Sequence, residues 1–419
     1  MTTIIPPSES GGMEKRRGGQ MDLRRLPSRP ADRVLRPGRF SPPLTSSHPL
    51  ALMSGDGFVR RGRKKEERKM KRDSQRFGAH VPTSNRRSWL VSAGVAGALW
   101  AGGRAVRSSA QLALGLKPGM TSARRFAPGG GLSVVLLGTG TPLVNPDRAC
   151  AATLVIAGDK TFLVDTGRGF LTRLADAGLR DVSLVLFTHY HSDHFGEFGE
   201  LMVTRGIAGA DRPLPVIGPA GVKEVIGSLL AAYSLDERCR RAHHGGKWSE
   251  AAMRAELMEK TGGVVYEAGG VKITMFEVDH PPVTPAVGYR FDYQGKSVVV
   301  SGDTKKCERL AAMARGCDVL VHEAASKSMT ETAVKLMRRA GGTDNERMAT
   351  MAEEMLTYHT MTEEAAEVAA EAGVKKLVLT HLAPALPENP AVERLFVAGM
   401  SAVYRGPIIV GRDGLDVKA

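Results

Sequence analysis

Residues 131–419 predict an α/β domain built on mixed sheets. Short runs rich in Val, Leu and Ile alternate with amphipathic helical stretches, and most of the runs end in glycine turns. Several ionisable residues also fall just past the end of an apolar run, where loops on a rigid scaffold carry chemistry. In chain order, Leu132–Leu137 is a strand closed by the turn Gly138-Thr139-Gly140-Thr141-Pro142. Ala152–Ile156 and Thr161–Val164 form a hairpin around Gly158-Asp159. Arg168–Ala177 repeats its apolar residues at helical spacing, and Val182–Phe187 is a buried strand. Pro215–Gly218 is a strand and Val222–Ala232 a helix. Val271–Val278 alternates as a strand, and Gly288–Tyr293 pairs with Ser297–Val300 through Gln294-Gly295. Leu377–Thr380 is the last clear core strand before a C-terminal pair near Val403 and Ile408.

The chain has 419 residues, a length that suits one large domain or two ordinary ones. Its net charge of +14 suggests a nucleic-acid binder until it is divided. Residues 1–130 hold 26 Lys and Arg against 8 Asp and Glu, a net of +18. The remainder holds 32 against 36, a net of −4. The basic excess therefore belongs to the N-terminal segment, and the body offers no general attraction to polyanions. Residues 1–83 are rich in Pro, Gly, Ser and Arg without apolar period, and read as a disordered basic tail. A start at Met53 or Met70 would leave part of it as an upstream extension. Residues 84–110 carry Arg86-Arg87 before a Gly/Ala-rich apolar stretch, with Ser108-Ser109-Ala110 as a small-residue cleavage site. The stretch is shorter than the roughly 20 residues of a spanning helix and fits a twin-arginine export signal. The expectation is a periplasmic or exported protein with no membrane span once the signal is removed, and a cytoplasmic one otherwise.

Cys150, Cys239, Cys307 and Cys317 form no C-x-x-C pair, so thiolate metal chemistry is not expected and all four read as packed thiols. Histidine is different. Of 11 in the chain, His189, His191 and His194 lie within six positions of Thr188-His189-Tyr190-His191-Ser192-Asp193-His194, after a buried strand. In extended chain an H-x-H pair points to one side, and Asp193 with His194 can face a second point after the turn. Imidazole and carboxylate are ordinary zinc ligands, and the surplus over three suggests two ions. Three further candidates each follow an apolar run: His280 in Asp279-His280, Asp303 in Ser301-Gly302-Asp303-Thr304, and His381 in Thr380-His381.

H-x-H-x-D-H, preceded by Phe162-Leu163-Val164-Asp165-Thr166-Gly167 and followed by a distal His, Asp and His, resembles the metallo-β-lactamase fold. The resemblance implies an αβ/βα sandwich of two mixed sheets flanked by helices. It also implies that His189, His191 and His280 hold one zinc, Asp193, His194 and His381 a second, and that Asp303 bridges them; manganese or iron are the alternative metals. Asp165 would support the ligand loop from behind, and His322 would pack nearby. His280 through Gly288-Tyr289-Arg290, Ser301-Gly302-Asp303-Thr304, His322-Glu323-Ala324 and His359-Thr360-Met361-Thr362-Glu363-Glu364 resemble segments of ribonuclease Z. By that likeness His359, held by Glu323, assists the leaving group, with Asp193 as the third catalytic residue. Thr360 and Glu363 would in any case make a capping box.

Two departures shape the functional expectation. The usual bacterial ribonuclease Z arm that grips tRNA has no room here, because only Phe291–Ser297 joins the two segments concerned. The basic loop of that family is replaced by Pro142-Leu143-Val144-Asn145-Pro146-Asp147-Arg148, leaving Arg148 as the substrate-anion contact. This loop, with Asp165-Thr166-Gly167-Arg168-Gly169, is closer to arylsulfatase-like and cyclic-nucleotide phosphodiesterase-like relatives. Cys239–Gly262 is expected to form a helical flap with His243 and His244 facing solvent. The expectation is a dinuclear-zinc hydrolase of phosphodiester or sulfate esters, acting as a homodimer on a small anionic substrate, with nucleic acid not favoured. The alternatives are a tRNA 3′-end endoribonuclease and a lactone or β-lactam hydrolase; a non-catalytic binding module would have to fail to bind metal.

Overall fold

The computed structural model describes residues 130–419. The basic tail (1–83) and the twin-arginine-like segment (84–110) lie outside the described residues. Two seven-stranded sheets stack face to face. The first runs in the order β14 (Asp416–Lys418), β1 (Leu132–Gly138), β2 (Ala152–Ala157), β3 (Lys160–Val164), β4 (Leu184–Leu186), β5 (Leu214–Gly218) and β6 (Ala255–Glu259). The second runs β13 (Ile408–Val410), β12 (Leu377–Ala383), β11 (Val319–Ala325), β10 (Lys296–Val300), β9 (Val283–Tyr293), β8 (Val271–His280) and β7 (Gly263–Ala268). Each sheet is half antiparallel and half parallel: β14 to β3 pair antiparallel and β3 to β6 parallel, while β7 to β10 pair antiparallel and β10 to β13 parallel. The expected sandwich of mixed sheets is the observed fold.

Three cores account for the layering. Val134, Leu136, Phe162 and Val164 of the first sheet meet Ile273, Tyr289, Phe291 and Val298 of the second between the sheets. The outer face of the first sheet packs on helices α1 (Phe170–Asp176), α2 (Ser192–Phe195), α3 (Phe198–Ile207) and α4 (Val222–Ala232), through Phe170, Phe198, Leu201 and Ile226. The outer face of the second packs on α6 (Glu308–Ala314), α9 (Thr362–Ala372), α10 (Pro390–Phe396) and α11 (Met400–Val403). α5 (Ser234–His244) buries no residue, and α7 (Lys327–Ala340) packs against α8 (Thr343–Met355) as a helical pair. Strands such as β4 and β12 are buried along their whole length because both of their faces are covered.

Several expectations shift. The predicted flap is helical only to Lys247, and Ala255–Glu259 instead extends the first sheet as β6. Val403 ends a short helix rather than lying in a strand, and only Ile408–Val410 pairs. The α9 cap sits one residue later than expected: Met361 is the cap, and its N–H donates to Glu364 at 2.8 Å. Cys150 and Cys317 are buried, but Cys239 is exposed. Among the described residues no helix is long and apolar enough to cross a membrane.

Candidate metal centre

The histidine motif is held in place from both sheets. After β4, Phe187 and Thr188 offer their carbonyls to the second sheet: Tyr289 Oη donates to Phe187 O at 2.6 Å and the Val287 N–H to Thr188 O at 3.0 Å. Beneath them, Asp165 leaves β3 with a φ of 63°, in the left-handed region that costs a non-glycine residue of order 1 kcal/mol or more. That turn brings its carboxylate under the loop. Asp165 accepts the Thr188 N–H at 2.9 Å and the Thr188 hydroxyl at 2.8 Å, and lies 2.8 Å from His194 Nδ1. Gly167 is required beside it, since a Cβ there would sit 2.1 Å from the Asp193 carbonyl.

The distal ligand candidates arrive through breaks in strand register. Between Val278↔Ala286 and His280↔Val283 the register slips by one, with Asp279 of β8 facing both Thr284 and Pro285 of β9, so a bulge in β9 lies beside the strand end that carries His280. In β12 the register passes from Thr380 to Leu382, leaving His381 unpaired with φ 45°. Asp303 follows β10 through Gly302, whose φ is 65° and whose Cβ would lie 2.7 Å from Val287 O.

The structure brings all seven sequence-predicted ligands together. Ligand atoms of His189, His191, His280 and Asp303 lie within 4.8 Å of one another, as do those of Asp193, His194 and His381. Asp303 Oδ2 stands between the groups, 3.9 Å from His189 Nε2, 3.3 Å from His194 Nε2 and 3.3 Å from His381 Nε2. Asp193 Oδ2 is 3.3 Å from His381 Nε2. Six of the seven are buried and only His191 faces solvent. Two observations fit cations here. His189 Nε2 and His191 Nδ1 point at each other at 3.0 Å, and the buried His280 Nε2 makes no hydrogen bond. Buried ring nitrogens without partners are costly unless something else satisfies them.

The electrostatics are tightly opposed. Burial would lower the His194 pKa, but Asp303 and Asp165 overcome it and hold it well above its ordinary value. Burial would raise Asp303, yet His381 and His194 hold it well below the usual carboxylate range. Burial, then the neighbouring His194, pushes His189 well below. Divalent ions would take over the role of these protons, since metal binding requires neutral imidazole and ionised carboxylate.

Next to this cluster, Glu323 accepts the Thr304 N–H at 2.8 Å and lies 2.8 Å from His359 Nδ1. Burial works against the His359 cation, but Glu323 raises its pKa to about 9. His359 stacks on His381 with ring centroids 5.3 Å apart. His322, one residue before Glu323 on β11, is fully buried and contacts the Glu323 carbonyl at 2.7 Å.

Arg148 is the departure. Its side chain is fully buried: Nε donates to Leu386 O at 2.6 Å, and Nη1 to Gly411 O at 2.6 Å and Thr139 Oγ1 at 2.8 Å. A guanidinium committed to these oxygens braces the β1–β2 loop against the C-terminal segment and is not free for a substrate anion. Asp413 does similar work, accepting the Thr139 and Ala149 N–H groups at 3.0 and 2.7 Å. His243 and His244 are exposed, as expected. Sequence reading missed Thr188, whose β-strand-end position gave no sign of its three partners, and Tyr358, whose carbonyl lies 3.0 Å from His280 Nδ1.

Residues 160–382 match the β-lactamase superfamily domain. Ribonuclease Z of Mycobacterium bovis is 39% identical over 287 residues, covering 67% of this chain and 96% of that protein. Ribonuclease Z of Mycolicibacterium paratuberculosis is 41% identical over 260 residues, covering 61% of this chain and 87% of the relative. The metallo-β-lactamase fold protein YhfI from Bacillus subtilis shares the fold, with a TM-score of 0.51 at 19% identity over 69% of this chain and all of that one. A match over almost the whole of the mycobacterial relatives, joined to the centre just described, makes this chain a metal-dependent hydrolase of the β-lactamase superfamily, belonging to the ribonuclease Z family.

Proposed function

We propose that the protein is an endoribonuclease that trims the 3′ end of precursor tRNA. The observation that carries this reading is the 39% identity across 96% of a ribonuclease Z. It displaces the small phosphate or sulfate ester as the favoured substrate. The short Tyr293–Lys296 turn is no obstacle. The match spans nearly all of that relative in 287 residues, so the relative carries no long arm that this chain lacks. An RNA substrate also places the protein where RNA is made, and the export expectation is not carried into this reading.

In the proposed site, His189, His191 and His280 would hold one zinc ion and Asp193, His194 and His381 a second, with Asp303 available to both. Ions so held would supply hydroxide near neutral pH and offset charge on the phosphoryl oxygens. The chain's own residues do the rest. Asp165 fixes the ring and tautomer of His194 through Nδ1. Glu323 orients His359 through Nδ1 and favours its protonated form. As the new O–P bond forms, the bond from phosphorus to the departing ribose oxygen breaks, and His359 gives that oxygen its proton. A homodimer is carried with the proposal.

The test is a rate comparison on the metal-loaded protein with precursor tRNA, bis-p-nitrophenyl phosphate, p-nitrophenyl sulfate and a lactone, each with an Asp303→Ala control. Precursor tRNA should give the highest kcat/KM, losing it in the control. Efficient turnover of a small ester with precursor tRNA left intact would return the reading to a small-ester hydrolase.

A further inference from the structure

We propose that Lys305 and Lys327 form a subsite for a backbone phosphate of the substrate strand, beside His359 on the leaving-group side. This deepens the RNA reading above and rests on it. A pocket of about 310 Å³ opens next to the centre, lined by Lys305, Lys306, Lys327, His359 and Glu364 among others. That volume lies at the lower end of the range for small-ligand sites. The lysines come from two strand ends. Lys305 follows Asp303-Thr304 after β10, its N–H donated to Asp279 O at 2.7 Å, and Lys327 opens α7 just past the strand that carries Glu323. The chain therefore places them around the proton donor by the same connections that build the centre.

Their charges are not equally free. Lys306 is tied to Glu367 at 2.9 Å. Lys305 and Lys327 are exposed and make no ion pair among the described residues. The carboxylate in the pocket, Glu364, already accepts the Met361 N–H at 2.8 Å. The first turn of α7 holds no acidic residue, so the positive end of that helix is not offset there. His359 belongs both to this pocket and to the group formed with Asp303 and His381, so a strand leaving the centre past His359 enters between the two lysines. Two unpaired cations at the exit from a phosphodiester site suit the next phosphate of a polynucleotide, a group that small esters lack. Elsewhere, solvated surface lysines would be the simpler account; here they are separated by salt dependence.

The experiment uses the metal-loaded full chain and a labelled single-stranded RNA ending at a mature tRNA 3′ nucleotide. Affinity is measured against salt for the wild type, the double variant Lys305→Ala/Lys327→Ala, the Arg/Arg double variant, and Lys223→Ala as a lysine outside the pocket. Loss of one phosphate contact should flatten the slope of log K against log salt by about 0.7. The basic N-terminal segment contributes equally to every variant and cancels. The Arg/Arg form should recover the wild-type slope and Lys223→Ala should keep it. Parallel slopes for wild type and Ala/Ala would overturn the subsite. Precursor tRNA cleavage by the wild type separates the two readings. Cleavage with parallel slopes removes the subsite alone, while a lysine-dependent slope without cleavage removes the RNA-processing reading and leaves a phosphodiester-binding pocket. Neither binding nor cleavage removes both.

Discussion

The two sheets serve one centre in different ways. The first sheet delivers four of the seven ligand candidates on a single loop, His189 to His194, with Asp165 beneath it. The second delivers His280, Asp303 and His381 singly, from the ends of β8, β10 and β12. One half is a compact segment braced by a local carboxylate; the other is a set of strand ends whose positions depend on how the whole sheet is registered. The contrast separates local from global specification of a site, and it can be tested.

The largest effect should come from Asp303, where the halves meet. Asp303→Ala should abolish turnover of every substrate alike, and metal analysis after desalting should show reduced loading; full metal content with retained activity would show that the first-sheet loop suffices. Next is His359→Ala, with a loss of about 10²–10⁴ in kcat on precursor tRNA. The same variant should lose far less on bis-p-nitrophenyl phosphate, whose leaving group hardly needs a proton. Equal losses on both substrates would remove the proton-donor role.

Asp165→Asn tests the local brace. Outer partners of metal-binding histidines are typically worth 10–100-fold in affinity or activity. A chelator titration should find metal lost at correspondingly lower chelator concentration, and an unchanged titration curve would leave Asp165 a purely structural role.

The contrast also explains what the sequence could reveal. The first-sheet loop was legible because ligand spacing within one turn is set by local geometry. The α/β domain of mixed sheets was legible because short apolar runs and turns mark most strands, while the sandwich followed from the resemblance of the ligand motifs. The delivery of His381 was not legible, because an extra residue in β12 breaks the alternation on which sequence reading depends, and that of His280 sits beside a bulge in the partner strand β9. Arg148 was misjudged for a related reason: its partners Leu386 and Gly411 lie more than 230 positions away, and nothing local distinguishes a buried brace from a free cation. β6 was hidden because three of its five residues are half-buried and two exposed at a sheet edge, with no clean apolar pattern.

The smallest effect belongs to the second sheet's outer rim. Burial would raise the Asp318 pKa, but Lys375, the Ser297 N–H and Lys296 lower it from 3.8 to about 2. A depressed carboxylate contributes stability that is present above its unfolded pKa and lost as pH falls towards its folded one. The window here is therefore from about pH 4 down to about 2. Asp318→Asn should cost about 1–2 kcal/mol at neutral pH, reduced from the full linkage value because both lysines reach into solvent. The difference should vanish towards pH 2 in denaturant melts, and a pH-independent difference would assign the cost to packing.

Glu323 and His359 are bonded to each other although the α7–α8 pair lies between them in sequence. Close by, Ala325 N–H donates to Thr360 O at 2.8 Å, so the two ends of that excursion are stapled together at its base. Loop-closure entropy grows only slowly with length once the ends are fixed. The base of the excursion is thus a natural splice port: helices could be lengthened, exchanged or replaced by a folded cargo domain beyond Lys327 while the catalytic pair stays clasped.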